Sequence, residues 1–385
     1  MKKIIYGILL LILISHNNSW AVASSPEVQP MALGEIQPMA LDSAVLGEQR
    51  QLMIYLPAGY QNSKDRYPVL YLTDGEIHGP HTAGTLDYFA KFNLAPQMIV
   101  VGIVNPPATR ERDLTLAGKD QQNTRQATNA DLFLSFIEQE VLPFVKQRYR
   151  TLDYQALSGT SHGGQFAINA LLKRPGLFDG VIAISPSLWW NDQQMLALSE
   201  AALQRQQLQG RLYVSIANEE PTMTAPFQQF VDLTQRYQSE KLVVASQTFN
   251  HETHNTTVLQ GQYYGLKHLF SDWAIPEGVP QTLADLQANY EKRSKLLNTT
   301  MQIPEDSANG YAQWLQYLKR QDDALALLQW NRKTYPQSLN AHTALIKAYL
   351  HFNMTDEAKA ALADALKSLN GLSTAQKAAL ESLLS

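Results

Sequence analysis

The chain of 385 residues has no cysteine, and this absence excludes disulfide bridges and a lipid anchor attached through a cysteine. An excess of basic residues is also lacking, since 31 Lys and Arg stand against 35 Asp and Glu and the net charge is −4. The pI is about 6.1, and the sequence has neither a basic run nor a zinc-finger spacing. We therefore expect no nucleic-acid partner.

Long hydrophobic runs are lacking too, apart from residues 4–14, which are too few to span a bilayer as a stable anchor. Lys2 and Lys3 precede this run, and the small residues of Ala21-Val22-Ala23 follow it. This order is typical of a secretory signal peptide. We expect residues 1–23 to be cleaved, which leaves a periplasmic or secreted protein without a stable membrane span. The alternative is an uncleaved segment that tethers the protein to the membrane.

The length favours one large domain plus an appendage, and 45% hydrophobic residues suit a substantial core. We expect a linker or edge segment over 24–45, a catalytic domain over 46–275 and a connector over 276–300. Residues 301–385 resemble tetratricopeptide repeats, because similar residues recur 34 positions apart, namely Tyr311 and Leu345, Leu315 and Tyr349, Ala324 and Ala358, and Leu328 and Leu362. Only about two units are present, so this tail is expected to pack on the larger domain or to form a homodimer through its helices.

Strand and helix patterns alternate within the large domain. Gln49–Leu56 alternates apolar and polar residues, whereas Pro68–Thr73 and Met98–Val104 are nearly continuous apolar runs. Three more strand candidates occur later in the chain, at Gly180–Ser185, Arg211–Ala217 and Lys241–Thr248. Helical spacing occurs between them, at 129–148, 193–206 and 227–237. This alternation predicts an α/β fold, with a mostly parallel sheet between two helical layers. Ligands of such sheets bind beyond the carboxyl ends of the strands.

The clearest chemical motif is Gly159-Thr160-Ser161-His162-Gly163, which has the form Gly-x-Ser-x-Gly. A strand candidate, Asp153–Leu157, precedes it, and the helical segment Gln165–Lys173 follows. This context is typical of a nucleophile elbow, in which a serine stands at the apex of a sharp strand-to-helix turn. Glycines on both sides remove Cβ atoms that would collide there. An ordinary glycine turn is the alternative interpretation.

A serine hydroxyl needs a base within hydrogen-bond reach and an acid that orients the base. In hydrolases with this turn the acid and then the histidine follow the serine in the chain. The histidine candidates are His251 and His254, just after the last predicted strand, and we favour His254 as the base for Ser161. The acid candidates are Glu219 and Glu220, after the preceding strand, and Glu220 is favoured over Glu219.

The alternative role for the same histidines is that of metal ligands. In the zinc protease motif the two histidines are four residues apart on a helix, whereas His251 and His254 are three apart in a predicted loop. His78 and His81 form a similar pair, which we interpret as loop residues near the rim of the cleft. We therefore expect neither a metal nor a cofactor.

Two backbone N–H groups are needed to stabilise the oxyanion of an acyl-transfer reaction. The first candidate is the amide of His162, next to the serine. The second should come from the loop after the strand 68–73, where Gly75 lets the backbone approach the substrate closely. The amide of Glu76 is the candidate there.

Several motifs in order resemble the enterochelin-esterase-like (siderophore esterase-like) branch of the putative esterases, within the α/β-hydrolases. The resemblance covers about residues 40–275 and rests on Tyr55–Tyr60, Tyr67–Gly75, Asn105 with Arg110–Leu114, Gly159–Gly164, Ser185–Trp190 and Glu252–His254. It implies a serine esterase for a small-molecule ester, with Ser161 as nucleophile, His254 as base and Glu220 as acid. It also implies that Trp189 and Trp190 flank the substrate cleft, and packing of either ring in the core is the alternative.

Arg110, Arg112 and Asp113 are expected to brace the loops around the cleft rather than to touch substrate. We do not infer siderophore substrates from the resemblance, because such ligands are triply charged and no basic cluster near the cleft is evident beyond Arg110 and Arg112. Two other functions remain open from the sequence. One is an acyltransferase that uses the same triad, and the other is a binding or scaffold protein that acts through its helical repeats.

Overall fold

The computed structural model of the protein describes residues 34–117, 129–275, 278–279 and 281–384. The expected signal peptide over 1–23 lies outside the described residues. In the described part of the chain, no helix combines the length and the apolar character that crossing a membrane requires.

An eight-stranded sheet forms the centre of the large domain. Its strands are β1 (Ile36–Ser43), β2 (Glu48–Tyr55), β3 (Tyr67–Thr73), β4 (Ile99–Ile103), β5 (Thr151–Thr160), β6 (Gly180–Ile184), β7 (Gly210–Ala217) and β8 (Leu242–Phe249). Their order in space is β1-β2-β4-β3-β5-β6-β7-β8. The pairs β1–β2 and β2–β4 are antiparallel, and the strands from β4 through β3 to β8 run parallel. The predicted α/β class with a mostly parallel sheet is therefore confirmed.

Helices cover both faces of this sheet. They are α1 (Gly75–Lys91), α2 (Pro107–Leu114), α3 (Ala130–Phe136), α4 (Leu142–Arg148), α5 (His162–Lys173), α6 (Trp190–Gln204), α7 (Pro221–Arg236) and α8 (Thr257–Leu269). Alternate residues of β3 enter opposite cores, because Tyr71 belongs to the buried cluster with residues of α3, α5 and α7, while Leu70 and Leu72 belong to the cluster with residues of α1 and α8. Burial on both faces explains the continuous apolar run of β3, all of whose residues are buried.

The segment expected as linker or edge contains the edge strand β1, which pairs with β2 along its whole length, from Ile36 opposite Tyr55 to Ser43 opposite Glu48. The single helix expected over 129–148 is interrupted by a π-helical turn at Ile137–Val141, between α3 and α4. Pro143 lies at the start of α4, and its missing amide proton is consistent with a change of hydrogen-bonding pattern there.

The C-terminal part is entirely helical where the structure describes it. It contains α9 (Leu283–Leu296), α10 (Glu305–Tyr317), α11 (Gln321–Thr334), α12 (Leu339–His351), α13 (Thr355–Ser368) and α14 (Thr374–Glu381). Helices α10 and α12 begin 34 residues apart, as do α11 and α13. Ala324 and Ala358, one period apart, are both fully buried where neighbouring helices meet. Membership of the tetratricopeptide family stays a prediction.

A buried arginine joins these helices to the sheet domain. Arg293 of α9 is only 2% exposed, and its Nε and Nη2 both donate to the carbonyl oxygen of Trp273, at 2.9 and 2.6 Å. Its guanidinium lies 4.6 Å from the ring centres of both Trp273 and Tyr290, as in cation–π contacts. Leu297, just after α9, belongs to the same buried cluster as Trp273. Helix α9, which lies in the expected connector, therefore packs on the large domain.

Helix α8 approaches the sheet closely because two of its residues lack a side chain. A Cβ atom at Gly261 would lie 2.8 Å from Cγ2 of Ile184, and one at Gly265 would lie 2.7 Å from Cγ2 of Ile182. Both isoleucines are fully buried in β6. Glycine at these positions thus fixes the distance between α8 and the sheet.

We predict that Gly265→Ala lowers the free energy of unfolding by up to about 2 kcal/mol. Overpacking a tight core costs roughly 1–3 kcal/mol, and the higher helix propensity of alanine offsets only about 1 kcal/mol of it. Gly310 of α10 is the matched control, because nothing lies within 4 Å of a Cβ atom built there. Gly310→Ala should therefore raise the free energy by about 0.5–1 kcal/mol. Urea unfolding of both variants measures the difference, and equal stabilisation by both would contradict the close approach of α8.

Candidate active site

Ser161 stands between the end of β5 and the start of α5, in the strand–turn–helix arrangement that the motif predicts. Its φ of 60° and ψ of −119° are strained for a residue with a side chain. A Cβ atom at Gly159 would lie 2.2 Å from the carbonyl oxygen of Gly163, and one at Gly163 would lie 2.3 Å from Oγ1 of Thr73. Only glycine fits at these two positions, which explains the spacing of the motif.

The loop after β8 brings His254 to a carboxylate at the end of β7. Nδ1 of His254 lies 3.1 Å from Oε2 of Glu219, whose side chain is 6% exposed. The neighbouring Glu220, which the sequence favoured, is instead exposed and immediately precedes α7. The preference for Glu220 thus disagrees with the geometry, because adjacent side chains at the end of a strand point in different directions. His251, the alternative histidine, is exposed.

Both oxygens of the Glu219 carboxylate are engaged. Oε1 accepts a hydrogen bond from Oγ of Ser185 at 2.5 Å and a longer one from the amide of Ala217 at 3.4 Å, while Oε2 faces His254. Burial acts to raise the pKa of Glu219, but the hydrogen bonds from His254 and Ser185 outweigh burial and hold this pKa below its ordinary value. Glu219 is therefore ionised at neutral pH.

The loop after β6 holds Ser161 from the other side. The amide of Ser161 donates to the carbonyl of Ile184 at 2.9 Å, and the amide of Ser187 donates to the carbonyl of Ser161 at 3.1 Å. The Oγ atoms of Ser161 and Ser187 lie 3.3 Å apart. Sequence reasoning assigned no role to Ser185 or Ser187, although their position just after a predicted buried strand was a usable signal.

Within the described residues, no hydrogen bond joins Ser161 to His254. The side chain of His254 is 38% exposed. Hydrogen bonds between catalytic groups are often long in the absence of substrate.

Two helix starts provide backbone donors beside Ser161. His162 is the first residue of α5, and Gly75 and Glu76 are the first residues of α1. Amides in a first helical turn have no acceptor within their own helix. A Cβ atom at Gly75 would lie 2.2 Å from Cα of Gly102 in β4, so the start of α1 is pressed against the sheet. The amides proposed from the sequence as oxyanion donors, those of Glu76 and His162, therefore lie at two helix starts on the same edge of the sheet.

An ion pair fixes the start of α1. Asp74 has a φ of 53° and is 2% exposed. Its two carboxylate oxygens accept from Nε and Nη2 of Arg110, at 2.6 and 2.9 Å, and its amide donates to Oδ1 of Asn105 at 3.0 Å. Nη2 of Arg110 also reaches the carbonyl of Thr160, at 3.4 Å, next to the nucleophile elbow. Arg110 thus connects the two helix starts.

A second ionic cluster supports α2, the helix that carries Arg110. Asp113 is 2% exposed and accepts from Arg50 at 2.6 Å and from Arg112 at 2.7 Å. Glu48 accepts from the same two arginines, at 2.9 and 2.6 Å. These contacts agree with the expectation that Arg112 and Asp113 brace the loops around the cleft.

Aromatic rings form one wall of the site. The ring of His162 lies 5.0 Å from that of Trp190 and 6.3 Å from that of Trp189, measured between centres. Trp189 is 42% exposed, whereas Trp190 is half-buried and donates through Nε1 to the carbonyl of Leu116 at 3.3 Å. Burial lowers the pKa of His162 to about 4, with the charge of Arg110 adding to the effect. The wall is therefore uncharged at neutral pH.

The pair His78 and His81 lies on α1, not in a loop as the sequence suggested. Nε2 of His81 is 3.3 Å from Nδ1 of His78, and burial lowers the pKa of both imidazoles, that of His81 to about 4. Across the described residues, no group of three or more His, Cys, Asp or Glu side chains is arranged to hold a metal ion.

Known proteins resemble this chain in sequence and in fold. The siderophore triacetylfusarinine C esterase of Aspergillus fumigatus is 34% identical over 149 residues, which cover 37% of this chain and 51% of that protein. The chain thus spans about half the length of that relative.

An IroE-like serine hydrolase of Shewanella oneidensis superposes with a TM-score of 0.67 at 27% identity, over 78% of this chain and 100% of its own. An uncharacterised protein of Capnocytophaga ochracea has a TM-score of 0.69 at 16% identity, over 91% and 98% of the two chains, and supports the fold alone.

Residues 43–275 match the family described as Putative esterase. This range includes the strands from β2 to β8 and also Ser161, Glu219 and His254. The match covers more than half of the 385 residues. The chain therefore belongs to the Putative esterase family, as an enterochelin-esterase-like α/β-hydrolase.

Proposed function

We propose that this protein is a serine carboxylester hydrolase that acts through an acyl-enzyme, with Ser161, His254 and Glu219 as its triad. The observation that carries this proposal is the buried Glu219 carboxylate, 3.1 Å from Nδ1 of His254, on the same edge of the sheet as the strained Ser161. A carboxylate on Nδ1 leaves Nε2 of the imidazole unprotonated, and this is the form that accepts a proton from serine.

The reaction would begin with attack of Ser161 Oγ on the ester carbonyl carbon, while Nε2 of His254 takes the hydroxyl proton. The amides of His162 and Glu76 would donate hydrogen bonds to the oxyanion that forms. The imidazolium then gives its proton to the leaving alcohol as the carbon–oxygen bond of the ester breaks. In the second half, His254 removes a proton from water, and the hydroxide releases the acid from Ser161.

The walls of the site favour an uncharged, apolar or aromatic part of a small-molecule ester. Trp189 exposes its ring, and His162 is neutral at pH 7 because its pKa is about 4. Arg110 is engaged by Asp74, and Arg112 by Glu48 and Asp113, so these two cations are already paired. We therefore do not extend the siderophore substrate of the Aspergillus relative to this chain.

The proposal has two further parts that come from the sequence, namely export of the protein and formation of a homodimer. The N-terminal pattern supports cleavage after Ala23 and a periplasmic or secreted location. A homodimer through the C-terminal helices stays a prediction, and size-exclusion chromatography with light scattering measures it directly.

We predict that a fluorophosphonate probe labels the wild-type protein and that Ser161→Ala abolishes the labelling. The probe reacts only with a serine whose hydroxyl is activated by a neighbouring base, so labelling reports the assembled site. Ser187→Ala is the matched control, because Ser187 is the neighbouring hydroxyl and should not carry the label. Mass spectrometry of the labelled peptide identifies the residue. A wild-type protein that stays unlabelled would sink the proposal.

The two adjacent glutamates provide a test of the acid. We predict that Glu219→Ala lowers kcat for p-nitrophenyl butyrate by about 10³- to 10⁴-fold, as loss of the triad acid does in serine hydrolases. Glu220→Ala should change kcat by less than about threefold, because the Glu220 side chain is exposed and has no part in the pair with His254. Steady-state kinetics of both variants decide the assignment, and the opposite ranking would restore Glu220 as the acid.

A further inference from the structure

A buried serine lies behind the Glu219–His254 pair and is not itself a member of the proposed triad. Ser185 directly follows β6, is fully buried and has a φ of 40°. Residues other than glycine are uncommon at positive φ, and such conformations persist only where the surrounding structure enforces them. They also cluster at functional sites.

The strained backbone aims the Ser185 hydroxyl at the acid. The Ser185 amide donates to the carbonyl of Ser215 in β7 at 2.7 Å, which anchors the residue to the neighbouring strand. Its Oγ then donates to Oε1 of Glu219 at 2.5 Å. Oε1 has one other donor among the described residues, the amide of Ala217, at the long distance of 3.4 Å.

We propose that Ser185 is a positioning residue of this active site, which fixes the rotation of the Glu219 carboxylate so that Oε2 faces His254. The proposal rests on the proposed function, since it assigns Glu219 as the acid. Ser185 is too deeply buried to touch the ester, so its effect on the reaction passes through Glu219 and the imidazole.

A carboxylate needs such a restraint because the terminal torsion of glutamate is broad and has no sharply preferred angle. One hydrogen bond on each oxygen defines the plane of the group. Without the hydroxyl, Oε1 would retain only the weak contact with Ala217, and the carboxylate could turn away from Nδ1 of His254. Small misplacements of catalytic groups cost up to about a hundredfold in rate.

The hydroxyl also favours the ionised form of the acid. The hydrogen bond from Ser185 is one of the causes that lower the pKa of Glu219, and His254 is the ionisable group whose charge acts on it. Loss of the hydroxyl therefore removes one of the interactions that hold the pKa of Glu219 below its ordinary value.

The experiment compares Ser185→Gly and Ser185→Ala with the wild type, with p-nitrophenyl butyrate as the substrate. Glycine removes the hydroxyl and relieves the positive φ, whereas alanine removes only the hydroxyl. Both variants should lower kcat by about tenfold to a hundredfold and leave KM within about twofold. Ser199→Ala is the matched control, because Ser199 is also fully buried and its Oγ donates to the carbonyl of Met195 at 2.7 Å, within α6. Ser199→Ala should lower the free energy of unfolding and leave kcat unchanged.

A double-mutant cycle separates positioning from a general structural effect. In a Glu219→Ala background, Ser185→Gly should cause no further loss of kcat, because the group it positions is gone. An equal loss in both backgrounds, or an unchanged kcat in Ser185→Gly, would overturn the inference while leaving the triad intact. Absence of probe labelling at Ser161 in the wild type would overturn the inference together with the proposed function.

Discussion

The site depends on a backbone conformation that the rest of the fold must enforce. Ser161 is held at a φ of 60° and a ψ of −119°, which costs of order 1–3 kcal/mol. The turn closes only because Gly159 and Gly163 approach their neighbours more closely than any side chain allows. The buried strand β5 and the buried face of α5 hold its two ends, and hydrogen bonds to Ile184 and Ser187 hold its middle. Core packing therefore stabilises a conformation that the serine alone would not adopt.

Each remaining group of the proposed site follows a different strand, so the parallel sheet brings these groups to one edge. Glu219 follows β7 and His254 follows β8, while the amide of Glu76 follows β3. The bidentate pair of Asp74 and Arg110 ties the start of α1 to the carbonyl before the nucleophile. The amides of Glu76 and His162, which belong to separate helices, are thereby held in a fixed relative position. Rigid positioning of this kind is what stabilises developing charge without reorganisation.

The sequence predicted β3, β4, β6, β7 and β8 within one residue at each end, whereas the prediction for β5 stopped at Leu157, three residues before its end at Thr160. Burial on both faces explains the apolar runs of β3, β4 and β6. For β1 the sequence left linker and edge segment open, because Pro38 interrupts the strand pattern, and it did not predict α1, whose glycines and Pro80 weaken the helical pattern. The choice between Glu219 and Glu220 could not be made either, because it depends on the side-chain direction at a strand end. The contact between Ser185 and Glu219 joins residues far apart in the chain, and no periodicity encodes it.

The junction at Arg293 has a consequence for how the chain can be shortened. The guanidinium is buried with one backbone carbonyl and two aromatic rings around it, and no carboxylate shares in these contacts. A truncation after residue 275 would uncover the Trp273 indole and leave its carbonyl without these two donors. Helix α9 is thus part of the same folding unit as the sheet domain, and proteolytic trimming or domain transplantation would have to begin beyond Leu297.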